Sequence, residues 1–444
     1  MPFPRHRDAP FPAWAPFALI ALYASIATAA VLIMFARGTG VSSLFQLTNG
    51  FGPLAKNLVE GGGFVDCTGT FVDAALLQPC LQAHRLPLAT WVIAGLATFF
   101  GDDPLAAGLA KAVLFVVPLA AAHLLALRSV WRHGSGAVTV AVLVIPLGVL
   151  AIPAVLINTV NMQVEEGYAY SLIAFAFCFL LFFDRQTPRS TLLTGAFGLS
   201  LTAIFLAKSS FLPFMLLLVL FHTRLEASAR RRALVIVLAL AGPVGWAIHS
   251  HEATGRWSLG TSSNGMNFLK GNNAGIIDHY PPLTGTLDAH DAALFAGRTY
   301  PDEWRFHDDS LRRAIAFITA EPELFVTLAW RKFSVLFLSV EKVGSAPYAG
   351  FLGILERGGL VVARLLTIAT LVALAAAVHR RHPRAGWAML LFLGSVAALA
   401  APYIVGFAFT RHASVMFLPC AFALCHALAS LVPGRTGHRP EWAL

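Results

Sequence analysis

The residues able to do chemistry fall into three groups, each beside a long apolar run. The first is cationic: Arg85 in Arg85-Leu86-Pro87, Lys208 in Lys208-Ser209-Ser210, and Arg411 in Phe409-Thr410-Arg411-His412. Arginine and lysine stabilise charge on a phosphate, arginine often through two parallel hydrogen bonds. Beside lipid the same side chains also serve as snorkelling headgroup anchors. The second group is acidic: Asp66 and Asp73 in one polar stretch, and the adjacent Glu165 and Glu166 just before an apolar run. A carboxylate can position and deprotonate an attacking hydroxyl. The alternatives are solvated loop acids and, for the glutamates, acids favoured by a helix N-terminus. The third group is Asn264 with the run Gly265-Met266-Asn267-Phe268-Leu269-Lys270-Gly271-Asn272-Asn273. Amides donate and accept, so Asn264, Asn272 and Asn273 are candidates for binding hydroxyls, with Gly265 and Gly271 allowing tight turns. Turn formation without a ligand is the competing reading. His84 beside Arg85 is the histidine to watch; the rest lack ligand spacing, and no metal or other cofactor is expected.

The elements that position these residues are set by composition. The chain has 444 residues, 57% hydrophobic and only 12% charged, and its mean hydropathy is +0.69. Soluble proteins carry about 25% charged residues, so the main solvent here is lipid. The net charge of +9 then needs no nucleic acid, because basic residues gather in the cytoplasmic loops of membrane proteins and meet anionic headgroups there.

Apolar runs long enough to span occur at 13–36, 103–128, 137–159, 167–183, 233–250, 357–378, 386–408 and 411–432. The first run is too long for a signal h-region and reads as a retained span. The stretch 191–222 is flanked on both sides by arginines, Arg185 and Arg189 before it and Arg224 and Arg230 to Arg232 after it. It should therefore cross twice, turning near Lys208-Ser209-Ser210. The sum is an all-α polytopic membrane protein of about ten spans, with both termini on the cytoplasmic side. Residues 1–444 read as one membrane domain, with two long polar loops, 37–102 and 251–356, on the far side of the bilayer.

Both loops carry interfacial helices. Phe51, Leu54, Ala55, Leu58 and Val59 follow helical apolar spacing, opposite Lys56, Asn57 and Glu60, and Gly61-Gly62-Gly63 ends that helix. Residues 87–100 form a second, too short to span. Asp103 before Pro104 reads as a cap and Asp102 as solvated. In the second loop Asp308 or Asp309 is expected to cap a helix through Ala320, and Pro322 to start the next, through Phe337. Cys67 and Cys80 share the first loop and either pair, if it faces an oxidising compartment, or remain two thiols. Cys178, Cys420 and Cys425 lie in apolar runs as core residues.

Four segments, in order, resemble bacterial polyprenyl-phosphate-dependent glycosyltransferases of the GT-C fold, in the branch that includes aminoarabinose transferases and protein O-mannosyltransferases. They are Ala55 to Phe64, Arg85-Leu86-Pro87-Leu88 with Phe99-Phe100-Gly101, Ser263-Asn264-Gly265 through Asn273, and Glu321-Pro322-Glu323-Leu324 followed by Lys332. The resemblance implies a GT-C-like bundle in the bacterial inner membrane. It would take a sugar from a polyprenyl-phosphate donor and pass it, with inversion, to a periplasmic acceptor. It also implies phosphate binding by Arg85, Lys208 and Arg411, and an acidic residue at Glu165 or Glu166 facing the cavity. One departure stands out. The family carries a carboxylate before the first interfacial helix, where this chain reads Phe45-Gln46-Leu47-Thr48-Asn49-Gly50-Phe51. Asp66 and Asp73 are the candidate replacements. Alternative readings are an inactive member that binds the lipid carrier, an O-antigen ligase or polymerase, and a transporter or flippase. The transporter would use buried mid-span charges such as Lys111 and Arg364.

Overall fold

The computed structural model describes residues 11–36, 42–47, 50–67, 80–133, 136–162, 164–182, 190–279, 293–340, 350–382 and 384–432. Among these the fold is helical, and the only β-type pairing is an isolated antiparallel bridge between Asp66 and Leu81. Six helices are long and apolar enough to cross a membrane. They are α1 (Ala15–Ala36), α4 (Pro104–His133), α10 (Ala229–Thr254), α14 (Phe351–His379), α15 (Ala385–Val405) and the combined run of α16 (Thr410–Ser414) and α17 (Phe417–Leu431).

The other expected spans fall on shorter helices, and each break has a local cause. The run 137–159 is divided into α5 (Gly136–Leu150) and α6 (Pro153–Val160). Proline disfavours helical backbone in the residue before it, and Ile152 is extended at φ −62°, ψ 123°. The stretch 191–222 is the expected helix pair, α8 (Thr191–Ala207) and α9 (Leu212–Leu225). Lys208, extended at φ −159°, and a short 3₁₀ turn over Ser209–Phe211 separate them. Helix α7 (Tyr170–Leu181) is buried along almost its whole length and packs against α4, α8 and α17. It is the centre of the bundle, and α1, α10 and α14 present exposed leucine, valine and isoleucine side chains outward, as lipid-facing helices do.

The first polar loop holds α2 (Phe51–Val59) and α3 (Pro87–Phe100), as the apolar spacing predicts. Phe51, Leu54 and Ala55 are buried, whereas Val59 is exposed. Asp103 caps α4 through the N–H groups of Leu105 (2.8 Å) and Ala106 (3.2 Å). Asp102 is exposed, as expected, and also accepts the Leu44 N–H at 2.6 Å, which ties the start of the loop to its end. Cys67 and Cys80 form a disulfide.

The second polar loop holds α11 (Ser263–Gly271), α12 (Glu303–Ala320) and α13 (Pro322–Phe337). Pro322 starts α13 as expected, but α12 begins earlier than its internal aspartates implied. Asp302 is the cap, accepting from the N–H groups of Trp304 and Arg305. Asp308 instead pairs with Arg256 at 2.7 Å, and Asp309 accepts from the Tyr300 hydroxyl at 2.7 Å.

Candidate active site

Five of the residues singled out by type converge, although they come from four separate parts of the chain. Arg85 donates to Glu165 Oε1 at 2.8 Å. Lys208 Nζ lies 3.4 Å from the other oxygen, Oε2, of the same carboxylate. Lys208 also donates to Glu166 Oε1. His412 Nε2 lies 3.1 Å from that same Glu166 oxygen. The Phe409 backbone N–H donates to His412 Nδ1 at 3.0 Å, so a neutral His412 carries its proton on Nε2, toward Glu166. Tyr403 stacks on His412 with ring centroids 4.0 Å apart, and Lys208 Nζ lies 5.3 Å from the Tyr403 ring centre. Arg411 lies over the Phe409 ring at 4.7 Å and adds its charge to the surroundings of Glu166.

Burial opposes ionisation of Glu166, yet Lys208, His412 and Arg411 together hold its carboxyl well below the usual carboxylate range. Burial likewise opposes protonation of Lys208, but Glu166, Tyr403 and Glu165 raise its pKa above the ordinary lysine value. Both groups are charged at neutral pH. A buried pair of this kind survives because each charge meets several partners.

The local structure explains how these side chains come to meet. Glu165 and Glu166 sit on a 3₁₀ turn over Glu165–Tyr168, immediately before the buried α7. Lys208 occupies the extended link between α8 and α9. Arg85 follows the Asp66–Leu81 bridge, closed by paired backbone hydrogen bonds of 2.9 and 2.8 Å and flanked by the Cys67–Cys80 disulfide. The next residues, 82–85, form bends rather than a ladder, so the N–H groups of Gln82 and Ala83 are satisfied elsewhere. Glu303, on α12, does this: its carboxylate accepts from Gln82 N (3.0 Å) and Ala83 N (3.1 Å). It also accepts the Ser262 hydroxyl at 2.6 Å. Ser262 N–H donates to Ala83 O (2.9 Å) and the Ser263 hydroxyl to His84 O (2.7 Å). The two polar loops are thus stitched into one unit behind Arg85. Glu303 was not a sequence candidate; its position one residue inside a helix reads as an ordinary first-turn acid, and only the fold reveals its partners.

Asp66 is buried, with Oδ2 3.5 Å from His84 Nε2. Burial, opposed by Asp66 and reinforced by Arg85, pushes the His84 pKa down. Gly50 closes this corner with φ +80°, and a Cβ there would lie 2.5 Å from His84 Nε2 and 3.1 Å from Asp66 Oδ2. The Asp66 carboxylate therefore stands beside the backbone of the segment that lacks its own acid. Asp73 lies outside the described residues.

Much of the hydrogen-bonding capacity of the asparagine and glycine run is used inside the protein. Asn272 is buried, donating to Phe268 O and Val405 O at 2.9 Å each and accepting from Lys332 Nζ at 2.9 Å. Asn273 donates to Leu269 O at 2.9 Å and accepts from Ile276 N at 3.1 Å. These amides serve the C-terminal end of α11 rather than facing outward. Gly265 and Gly271 are helical, not turn residues. A Cβ on Gly265 would meet His307 O at 2.3 Å, and one on Gly271 would meet Gly406 O at 2.0 Å. Close backbone approach is what demands glycine here. Asn264 differs: it is exposed and donates to Ser209 Oγ at 3.2 Å, next to Lys208.

The buried charges that a transport pathway would use are bonded to backbone carbonyls. Lys111 donates to Asn161 O at 2.8 Å. Arg364 donates to Val335, Leu336 and Ser339 carbonyls, capping the C-terminus of α13. Among the described residues no group of three or more His, Cys, Asp or Glu side chains could hold a metal ion.

No family model matches the chain, and no curated protein does. Two solved structures are similar to it. One is ArnT from Cupriavidus metallidurans bound to undecaprenyl phosphate, with a TM-score of 0.39 and 15% identity, over 96% of this chain and 79% of that one. The other is the same protein in the apo state, with a TM-score of 0.38 and 14% identity, over 95% and 78%.

Proposed function

We propose that this protein is a GT-C-type glycosyltransferase. It moves a sugar from a polyprenyl-phosphate donor to an acceptor hydroxyl with inversion, on the outer face of a bacterial inner membrane. The observation that carries the reading is the convergence of Arg85, Lys208 and Arg411, from three distant parts of the chain, around Glu165 and Glu166.

The reaction needs little else. The acceptor oxygen bonds to the anomeric carbon as the bond to the phosphate oxygen breaks, and the polyprenyl phosphate departs with the electron pair. Arg85 and Lys208 stabilise the phosphate charge as it develops. The acceptor proton passes to a carboxylate, with Asp66, Glu165 and Glu166 as the candidates. Asn264, exposed beside Ser209, is the amide of its segment that stands next to Lys208 and suits a sugar hydroxyl. The Cys67–Cys80 disulfide supports an outer, oxidising location for the first loop, and with it cytoplasmic termini.

A second reading is favoured by one observation: Asp66 is buried against His84, and both glutamates are neutralised by cations. A protein of that kind would bind the lipid carrier without turnover. Purified protein in nanodiscs, given a radiolabelled polyprenyl-phosphate sugar and an extract of envelope acceptors, separates the two. Release of lipid phosphate coupled to acceptor labelling is the expected result. Tight lipid binding without release would leave the carrier-binding reading, and absence of binding would end both.

A further inference from the structure

We infer that Glu165 is a displaceable counter-ion that occupies, in the empty site, the place taken by the phosphate of the lipid donor. The inference rests on the phosphate-binding reading above and adds a competition built into the site.

The geometry distinguishes the two adjacent glutamates. Glu165 bridges two cations with its two oxygens, Oε1 to Arg85 at 2.8 Å and Oε2 to Lys208 at 3.4 Å. A phosphate presents the same motif, two anionic oxygens on one central atom, to the same pair of donors. Glu166 uses one oxygen for both Lys208 and His412 and is sealed in, its side chain 2% exposed against 19% for Glu165. Glu165 is therefore the member of the pair that can swing out. Its backbone belongs to a single 3₁₀ turn preceded by the extended Val164, not to the interior of a long helix.

Displacement also leaves an acceptable charge arrangement behind. When Glu165 departs, Lys208 keeps Glu166, so that lysine is not orphaned. Arg85 keeps the Phe51 ring at 5.5 Å and gains the phosphate in exchange for the carboxylate. A buried arginine beside lipid is costly, and in the empty protein its pairing with Glu165 lowers that cost. Glu165 does so at the expense of donor affinity.

Equilibrium binding to the full-length protein in nanodiscs tests this with three probes: undecaprenyl phosphate, inorganic phosphate and the uncharged polyprenol. Glu165→Gln is expected to bind undecaprenyl phosphate about 10-fold more tightly than wild type. Inorganic phosphate should shift the same way, and the polyprenol should not shift. Glu166→Gln, whose carboxylate does not compete, should show no tightening. Wild-type protein that binds no undecaprenyl phosphate overturns both the inference and the function it rests on. Wild type that binds, with Glu165→Gln equal or weaker, overturns the inference alone. A second readout needs no variant. Carbodiimide labelling of the wild-type protein, followed by peptide mass spectrometry, should show Glu165 becoming reactive when undecaprenyl phosphate is added. Unchanged labelling of Glu165 in the lipid-bound protein would equally overturn the proposal.

Discussion

In the first polar loop the chain from Leu81 to Arg85 has its backbone held by others: the Asp66 bridge, Glu303 and Ser262 and Ser263 satisfy its N–H and C=O groups. That leaves His84 and Arg85 to direct their side chains at carboxylates. In the second loop α11 does the reverse. Its side chains, from Ser263 at one end to the flanking Asn272 and Asn273 at the other, reach for backbone groups, and its glycines let neighbouring backbones approach. One segment is clamped so that its side chains can act; the other is the clamp. A run of asparagine, glycine and serine is therefore not by itself a ligand surface, since its hydrogen-bonding capacity can be consumed inside the protein.

The sharpest way to break this comparison is Arg85→Ala. The change strands Glu165 opposite Lys208 alone and removes the bidentate-capable donor. Truncating one partner of a desolvated charge pair costs about 2–5 kcal/mol, so affinity for the lipid phosphate should fall by about 30-fold or more. Titration of the folded variant with undecaprenyl phosphate measures it, with thermal unfolding as a check that the protein is intact. Unchanged affinity would remove Arg85 from the site.

Substitutions in α11 should behave in the opposite way. Gly271→Ala drives a methyl group into Gly406 O, at 2.0 Å before relaxation. Backbone must move to admit it, and overpacking of this kind costs about 1–3 kcal/mol. The expected result is a lower unfolding midpoint with near-normal donor affinity in the fraction that stays folded. Asn264→Ala should invert that pattern, leaving the midpoint unchanged and weakening sugar-donor binding a few-fold. Should Gly271→Ala weaken donor affinity and leave stability intact, α11 would be ligand surface and not strut.

Much of the frame was legible because lipid imposes simple rules. Apolar run length, the arginine clusters around 191–222 and the spacing of Phe51, Leu54 and Ala55 each predicted an element that the fold contains. The break at Ile152-Pro153 was legible too in principle, since proline alone dictates it. Residue type also singled out Arg85, Lys208, Glu165 and Glu166, cations suited to a phosphate and carboxylates suited to a hydroxyl, and the fold brings these side chains together. What the chain order concealed was pairing at a distance. Asp66 reaches Gly50 only through a bridge to Leu81, and Glu303 reaches Ala83 only once the two loops meet. Neither contact leaves a period or a motif in either partner. The contacts of Asn272 and Gly271 were concealed for the same reason, as the backbones they approach, Val405 and Gly406, lie far along the chain.

A last effect concerns another buried lysine and sharpens the contrast with Lys208. Lys208 has two carboxylates and stays charged. Lys332, buried on α13, meets the neutral amide oxygen of Asn272 at 2.9 Å, and burial pushes its pKa down to about 7. In the unfolded chain a lysine titrates near about 10.4. Between these values the unfolded state binds more protons than the folded state, so stability rises with pH across that window. Below about 7 both states hold the proton and this contribution is flat, at its least favourable. Thermal unfolding in detergent from pH 6 to pH 10 should therefore show a rise in wild type that is reduced in Lys332→Met. The methionine keeps the length of the side chain but cannot titrate, and any loss of its contact with Asn272 offsets the curve without changing its slope. Parallel curves for the two proteins would mean that Lys332 keeps its charge in the folded state, and that α11 and α13 are joined by an ammonium rather than by a neutral amine.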